Sequence, residues 1–431
     1  MTGYAVVARV RAYERQEVLA AAVLAGMVAL GAKLAFDAAA MPSKPLVFSL
    51  AGRGFPGWLS GPFHGLGAHL TWASFYAEVL GLCALWGAAC ALAGAIRLRW
   101  ALAAVAALHA LFALAPPIGL SDAFNYIGYG RLLVEHGLNP YTDTLVQVPG
   151  DPAFAYATWP DWPNPYGPLA TLAFAPLGLT GVPQALWLSK LAAAGASLAV
   201  VGLTAACARR LRRPVAPAVV FVGLNPVLLV YGVAGAHVDL LLVALSMAGV
   251  WLVLRGRGRA GGGALAAGAA VKVTGVLPLA FALAGTRRAR ELAAGAAVAA
   301  AAIGAVALAV FGPHLLAGVA DQREVTSPRS VPGLLSRALG FDGVPAGVAV
   351  AAVAGFAGAT AWLLRATWRG RDWLEAAGWA TVALLLALTW LMPWYVVWLL
   401  PLAALAAGPR LRYAAAALTV FVVVVRIVPL G

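Results

Sequence analysis

The sequence predicts an all-α polytopic membrane protein of about eleven transmembrane helices, and three observations carry that expectation. Hydrophobic residues make up 62% of the 431 and charged residues only 11%, well under the roughly 25% of an ordinary soluble chain. Apolar runs recur from Val18 to Val428, each close to the roughly 20 residues that cross a bilayer core, and mean hydropathy is +0.87. Twenty of the thirty Lys and Arg stand in seven short clusters between those runs. These are Arg9/Arg11/Arg15, Arg97/Arg99, the segments 209–213, 255–259 and 287–290, Arg365/Arg369/Arg371 and Arg410/Arg412. Short basic loops between spans face the cytoplasm. The net charge of +14 therefore records orientation in a cell membrane, not a nucleic-acid surface. One continuous domain over 1–431 is expected, with a cytoplasmic N-terminus.

The elements follow in order. Residues 17–36 leave the cytoplasm, and 38–72 form a first external loop rich in Gly, Pro and aromatics. Spans at 74–95 and 100–116 return and leave again, so the long polar loop 117–165 is external too. The run 166–181 is apolar but short and contains Pro168 and Pro176, so it reads as a re-entrant or interfacial segment. The next run spans, because it ends on the basic cluster 209–213. Residues 215–232 and 238–254 form an out-and-back pair with "GVAGAHVD" at the outer tip. Segment 261–285 has basic clusters at both ends and is too short for two spans, which predicts a helical hairpin with Lys272 near its tip. A span at 293–311 leads to a third external loop, 312–342. Spans at 344–364, 374–393, 394–408 and 412–429 finish the chain.

Cys83, Cys90 and Cys207 all lie in apolar runs, with no CxxC and no Cys/His cluster. Neither a disulfide framework nor a zinc site is indicated, and no metal or cofactor is expected. The first apolar run is long enough to span and lacks a cleavage motif, so no cleavable signal peptide is expected. No Walker motif is present, and "RGRGRAGGG" lacks the strand and helix that a dinucleotide loop needs.

The chemistry gathers on the expected outer side. Ten of the sixteen acids fall there: Asp37, Asp122, Glu135, Asp143, Asp151, Asp161, Asp239, Asp321, Glu324 and Asp342. Asp122 stands out because it follows an apolar run within a few residues. An ionisable group so near the bilayer is costly unless it is solvated or paired. Two readings stand: a functional carboxylate, or a helix cap by Ser121 or Asp122 at the start of a surface helix. Cations gather there as well. Lys33, Lys190, Lys272 and Arg426 lie inside apolar runs, and Arg131, His136, Arg323 and Arg329 in external loops. Singly each suits snorkelling or an ion pair; as a set they favour an anionic lipid headgroup. Aromatics cluster at Phe154, Tyr156, Trp159, Trp162 and Tyr166, and again at Trp390, Trp394, Tyr395 and Trp398. An interfacial belt and sugar stacking both fit them.

Suppose the substrate is a sugar on a polyprenyl phosphate. The phosphate is a good leaving group and needs no general acid. One carboxylate then suffices as base for the acceptor hydroxyl, whereas glycoside hydrolysis ordinarily needs two. Lys, Arg or His can neutralise the departing phosphate without a metal.

The stretch "LSDAFNYIGYGRLLVEHGLNPY", with "WPNPYGPLA", "GAHVDLLLVAL", "AAVKVTGVLPLAF" and "PWYVVWLLPLA", resembles the actinobacterial polyprenol-phosphate-mannose-dependent mannosyltransferases. These are membrane glycosyltransferases of the GT-C type, and the likeness runs from about residue 116 to 403. It implies a GT-C helical bundle with short re-entrant or interfacial helices and an active site on the extracytoplasmic face. It gives Asp122 the role of general base and brings Lys272 to the donor phosphate; among the other cations, Arg131, Arg323 and Arg329 are candidate phosphate ligands. Arg131, Asn139, Tyr141 and Tyr166 would shape the pocket, with Trp394 and Tyr395 beside them. His237 and Asp239 lie in a motif that often reads His-Asn-Asp; Val238 replaces the Asn, which puts a sugar contact by that residue in doubt. GT-C enzymes often carry the acid in the first external loop. Here that loop has none, and Asp37 at its edge is a rival base.

The implied function is inverting transfer of a sugar, mannose by the resemblance, from a polyprenyl-phosphate donor to a glycan or glycolipid acceptor. A polyprenyl-phospho-arabinofuranose donor is the alternative within the same chemistry. A transporter or flippase for lipid-linked sugar is the alternative outside it. The chain shows no internal repeat, and its unusual acids are not at the midplane, which favours an enzyme.

Overall fold

The computed structural model describes residues 2–40, 56–68, 70–118, 122–316 and 325–427, with side chains from residue 14 onward. Every regular element among the described residues is helical. The long apolar runs become α1 (Thr2–Ala39), α2 (Trp72–Ala91), α3 (Leu98–Leu114), α6 (Val182–Arg210), α11 (Ala289–Phe311) and α13 (Ala346–Trp368). Shorter helices are α4 (Asp122–Val134), α5 (Pro168–Gly178), α7 (Val215–Gly223), α8 (Asp239–Leu254), α9 (Gly258–Val271), α10 (Val276–Gly285), α12 (Val331–Ala338), α14 (Trp373–Ala387), α15 (Leu400–Ala404) and α16 (Arg410–Ile427).

By length and composition five described helices can cross a membrane, or six if a bent pair counts as one span. That pair is α7 and the π-helical turn Val227–Ala234, which meet at 54°. The bend falls at Asn225-Pro226, where proline cannot donate the hydrogen bond that would continue the helix. The uninterrupted span expected at 394–408 is not formed. A 3₁₀ helix, Pro393–Trp398, and α15 occupy the run, each with proline in its first turn. Its apolar side chains are buried within the protein. The 166–181 run forms α5, whose eleven residues reach only about 16 Å. Pro168 starts this helix instead of breaking it, since the first turn needs no donor from its nitrogen.

The expected hairpin at 261–285 is present. Lys272 is extended (φ −156°, ψ 136°) between α9 and a short turn into α10. The chain folds back so that Gly275 packs on Gly268 and Ala269, closer than a Cβ would allow.

Two lysines of the apolar runs are internal ties. Lys190 is fully buried and donates to the carbonyls of Phe112 (3.0 Å) and Ala234 (2.8 Å). It thereby joins the end of α3 to the end of the π turn, satisfying carbonyls that helix ends leave open. Lys33 binds both Asp37 and Glu78, linking α1 to α2. Asp37 also accepts the Ala68 N–H.

The basic clusters and the broken helices lie at opposite ends. Helix α8 begins at Asp239 and ends next to Arg255, a rise of roughly 24 Å. Helix α6 likewise ends on Arg209 and Arg210. At the other end the breaks at 235–238, Lys272 and 388–399 converge, His237 stacking on Trp394 and Lys272 binding Asp239, while the bend at 224–226 lies partway along its span.

Candidate functional site

Between those breaks lies a cavity of about 640 Å³. Asp122 and Asn125 of α4, Trp159, Trp162 and Tyr166 of the following loop, Lys272 of the hairpin tip, and Trp390, Trp394, Tyr395 and Trp398 all line it. Among the described residues, Asp122 and Lys272 are the two charged groups in this lining.

Local sequence explains how they meet. Asp122 is the first residue of α4, and Asn125 follows one turn later on the same face. Asn125 accepts the N–H groups of Thr158 and Trp159 and donates to the Trp159 carbonyl, which fixes the tryptophan loop over Asp122. Tyr166 and Lys272 are joined through the backbone: Gly167 N–H donates to the Val271 carbonyl at 2.9 Å. A Cβ at residue 167 would sit 2.2 Å from the Ala270 oxygen, so only glycine fits.

The Tyr166 hydroxyl donates to Asp122 Oδ2 at 3.3 Å. His237 Nδ1 lies 3.6 Å from the same oxygen, outside hydrogen-bond range. Burial pushes the Asp122 carboxyl up to about 7; Lys272 pulls the other way, and the charge of Asp239 adds to the rise. Burial also holds the His237 imidazole well below the usual histidine range, and Lys272 adds to that. The ring is therefore neutral, and it stacks on Trp394 with centroids 3.6 Å apart. Neither of its nitrogens has a partner among the described residues.

Lys272 donates to Asp239 Oδ1 at 3.0 Å, and Trp398 Nε1 donates to the same oxygen at 2.8 Å. The ammonium lies 4.3 Å from the ring of Tyr395, 5.1 Å from Trp398 and 5.6 Å from Tyr166. Such a cage holds a cation through the negative ring faces. Asp239 Oδ2 remains buried without a partner among the described residues.

The structure brings Asp122, Tyr166, Lys272, Trp394 and Tyr395 to one cavity, with His237 and Asp239 immediately behind its wall. It separates Arg131, Asn139 and Tyr141 from the cavity lining. Arg131 Nε binds both oxygens of Asp151 (3.0 and 2.9 Å), and its Nη1 points at the carbonyls of Gly178 and Thr180. His136 completes the cluster at 2.7 Å. Burial alone would raise the Asp151 carboxyl, but the hydrogen bonds from His136, Ala153 and Arg131 carry it below the usual range. Asn139 donates to the Phe311 carbonyl, and Tyr141 bonds Thr171 and the Tyr166 carbonyl, so both brace the loop behind the site. Arg329 is not in the lining, but its main-chain N–H donates to Ser327 Oγ, and Ser327 N–H donates to the carbonyl of the lining residue Thr389. Arg323 falls outside the described residues, as do Asp321, Glu324 and the alternative cap Ser121. The rival acid Asp37 is bound to Lys33 and does not line the cavity.

Sequence reasoning did not single out Asn125 or the tie from Trp398 to Asp239. The first had a signal in its spacing of three from Asp122. The second had none, because the two residues are 159 apart.

Residues 24–290 match the family described as alpha-(1->6)-mannopyranosyltransferase, N-terminal domain. Residues 331–431 match the MptB C-terminal domain. A probable alpha-(1->6)-mannopyranosyltransferase of Mycolicibacterium smegmatis is 28% identical over 371 residues, covering 72% of this chain and 66% of that protein. Alpha-(1->6)-mannopyranosyltransferase B of Corynebacterium glutamicum is 28% identical over 343 residues, covering 67% of this chain and 56% of that protein. The chain thus spans less than two thirds of the length of either relative. No solved structure matches it.

Proposed function

The chain belongs to the alpha-(1->6)-mannopyranosyltransferase family, and from that premise we propose that it transfers a mannosyl group from a polyprenyl-phosphate donor to a hydroxyl of a glycan or glycolipid, inverting the anomeric carbon. The observation that carries this reading is Asp122, a lone carboxylate on the wall of an aromatic cavity with its pKa near neutrality. A base is most effective when its pKa lies near the working pH.

Asp122 takes the proton from the acceptor hydroxyl as that oxygen attacks the anomeric carbon. The new glycosidic bond forms on one face while the bond to phosphate oxygen breaks on the other, and the phosphate leaves with the electron pair. Phosphate needs no proton to depart, so a second carboxylic acid is not required. Tyr166 holds Asp122 in place through its hydroxyl. Trp159, Trp162, Trp394 and Tyr395 offer flat faces for sugar rings. Lys272 offsets part of the negative charge entering the cavity. The location of the basic clusters at the far ends of α6 and α8 supports an extracytoplasmic site under the positive-inside rule.

The test is the full chain in lipid nanodiscs with polyprenyl-phosphomannose and an α-mannoside acceptor, the product linkage being read by NMR. An α-linked mannosyl product is expected. Transfer only from polyprenyl-phospho-arabinofuranose, or movement of donor across vesicles without any transfer, would overturn the reading.

A further inference from the structure

The cavity has a charge deficit for a phosphate. Among the described residues its one lining cation, Lys272, is already bound to Asp239 and lies near Asp122. That sets one positive charge against two carboxylates once both are ionised. A phosphate there would meet repulsion as well as attraction.

Two arginines beside the cavity show the opposite imbalance. Arg426, in the last turn of α16, donates to the main-chain carbonyls of Val422 at 2.9 Å and Leu391 at 3.0 Å and to the Met392 sulfur at 3.6 Å. Arg329 has a buried Nε with no hydrogen-bond partner among the described residues. Among the described residues, neither pairs with a carboxylate. The two guanidinium groups lie within electrostatic reach of each other and of Tyr76. The Tyr231 hydroxyl, buried and also without a partner among the described residues, lies within electrostatic reach of Arg426. Two like charges within reach of each other, one of them with an unmet buried donor, are costly unless an anion joins them. The planar fork of arginine matches phosphate oxygens.

The pair is attached to the cavity wall. Ser327 N–H donates to the Thr389 carbonyl at 2.8 Å, and Thr389 Oγ1 to the Val325 carbonyl at 3.4 Å. The loop that carries Arg329 is thus laced to the segment whose next residues hold Arg426. Val325, Thr389 and Met392 themselves line the cavity.

We propose that Arg329 and Arg426 together seat a phosphate group carried on a lipid whose remainder reaches the cavity past Thr389 and Met392. The naming of the lipid as an isoprenoid rests on the proposed donor; the anion seat rests on the arginine pair alone.

The experiment measures binding of farnesyl phosphate, farnesol and inorganic phosphate to the full chain in nanodiscs. Wild-type protein should bind farnesyl phosphate and neither farnesol nor inorganic phosphate at matched concentrations. Arg329→Gln and Arg426→Gln should each weaken farnesyl phosphate binding about ten- to a hundredfold, as loss of a charged hydrogen bond predicts. Arg329→Lys and Arg426→Lys should keep more of it. Phenylglyoxal labelling of unaltered protein, located by mass spectrometry, should show both arginines protected by farnesyl phosphate, a readout that needs no variant to fold. Equal binding of farnesol, Gln variants that bind like wild type, or unprotected arginines would overturn the seat. Inorganic phosphate binding as tightly as farnesyl phosphate would overturn its lipid part. A chain that binds farnesyl phosphate through both arginines yet transfers no mannose would uphold the seat and sink the transferase reading.

Discussion

Two buried ion pairs stand near the site, Lys272 with Asp239 and Arg131 with Asp151. In each, the carboxylate is 1% exposed and the contact is close to 3 Å. They differ in what is left over. Asp151 is fully occupied by Arg131, His136 and the Ala153 N–H, and the spare Arg131 donor is directed at two carbonyls. Asp239 keeps an unpartnered oxygen, and Lys272 faces a cavity beneath three aromatic rings. A closed network braces a fold; an incomplete one beside a cavity has capacity for a ligand. Sequence alone ranks the two cations together, and geometry separates them.

The largest effect should come from the carboxylate that the open pair faces. Asp122→Asn should lower kcat about 10²–10⁴-fold while the protein still unfolds cooperatively. Near-normal turnover by folded Asp122→Asn protein would remove the base assignment and with it the functional side of the contrast.

Paired substitutions test the contrast directly. Arg131→Met leaves Asp151 without its main counter-charge and should cost about 3–5 kcal/mol in denaturant unfolding. Arg131→Met with Asp151→Leu should recover most of that stability and keep turnover close to wild type. Lys272→Met with Asp239→Leu should also recover stability relative to either single change, yet remain slow. If the Arg131/Asp151 double variant folds well but transfers poorly, the two pairs are alike and the distinction fails.

A smaller and graded effect follows from the raised Asp122 carboxyl. The base must be ionised, so kcat/KM should fall about tenfold per unit of pH below about 7 and level off above it. Stability should move the other way. A carboxyl with a raised folded pKa binds its proton more tightly folded than unfolded, so stability drops as pH rises from the ordinary carboxylate range to about 7. Asp122→Asn should flatten both profiles, and a wild-type rate with no limb near neutrality would contradict the assignment.

These contrasts also mark how far sequence reading reached. Hydropathy and basic clusters located the long helices, because spans and loops differ in composition. They did not distinguish a span from a buried irregular run, so 394–408 looked like one more crossing, although a 3₁₀ helix and a short α-helix, each with proline in its first turn, occupy the run. Asp122, Tyr166, Lys272, Trp394 and Tyr395 were singled out from motif and position, and all five line one cavity. Arg131 was not legible as a brace, since its partner Asp151 lies twenty residues away in an irregular loop. Arg426 was visible only as an odd cation in an apolar helix, and Arg329 comes within electrostatic reach of it only in the folded chain.

The smallest predicted effects concern one turn on each side of the comparison. Beside Lys272 and Asp239, the turn that carries His237 places Ala236 at φ +55°, in the left-handed region. Beside Arg131 and His136, the corresponding left-handed residue is Gly137, at φ +63° with open space around it. An L-residue in that conformation costs about 1–2 kcal/mol. Gly137→Ala should therefore lower stability by about 1 kcal/mol and leave turnover alone. Ala236→Gly relieves the same strain, but it gives up a buried methyl worth about 0.8 kcal/mol and adds unfolded-chain entropy of roughly 0.5–1 kcal/mol. Stability should then stay nearly constant while the turn gains freedom. Because that turn sets His237 against Trp394 and near Asp122, turnover should drop several-fold with little change in Tm. Equal responses at the two positions would mean that strain at Ala236 serves the fold and not the site.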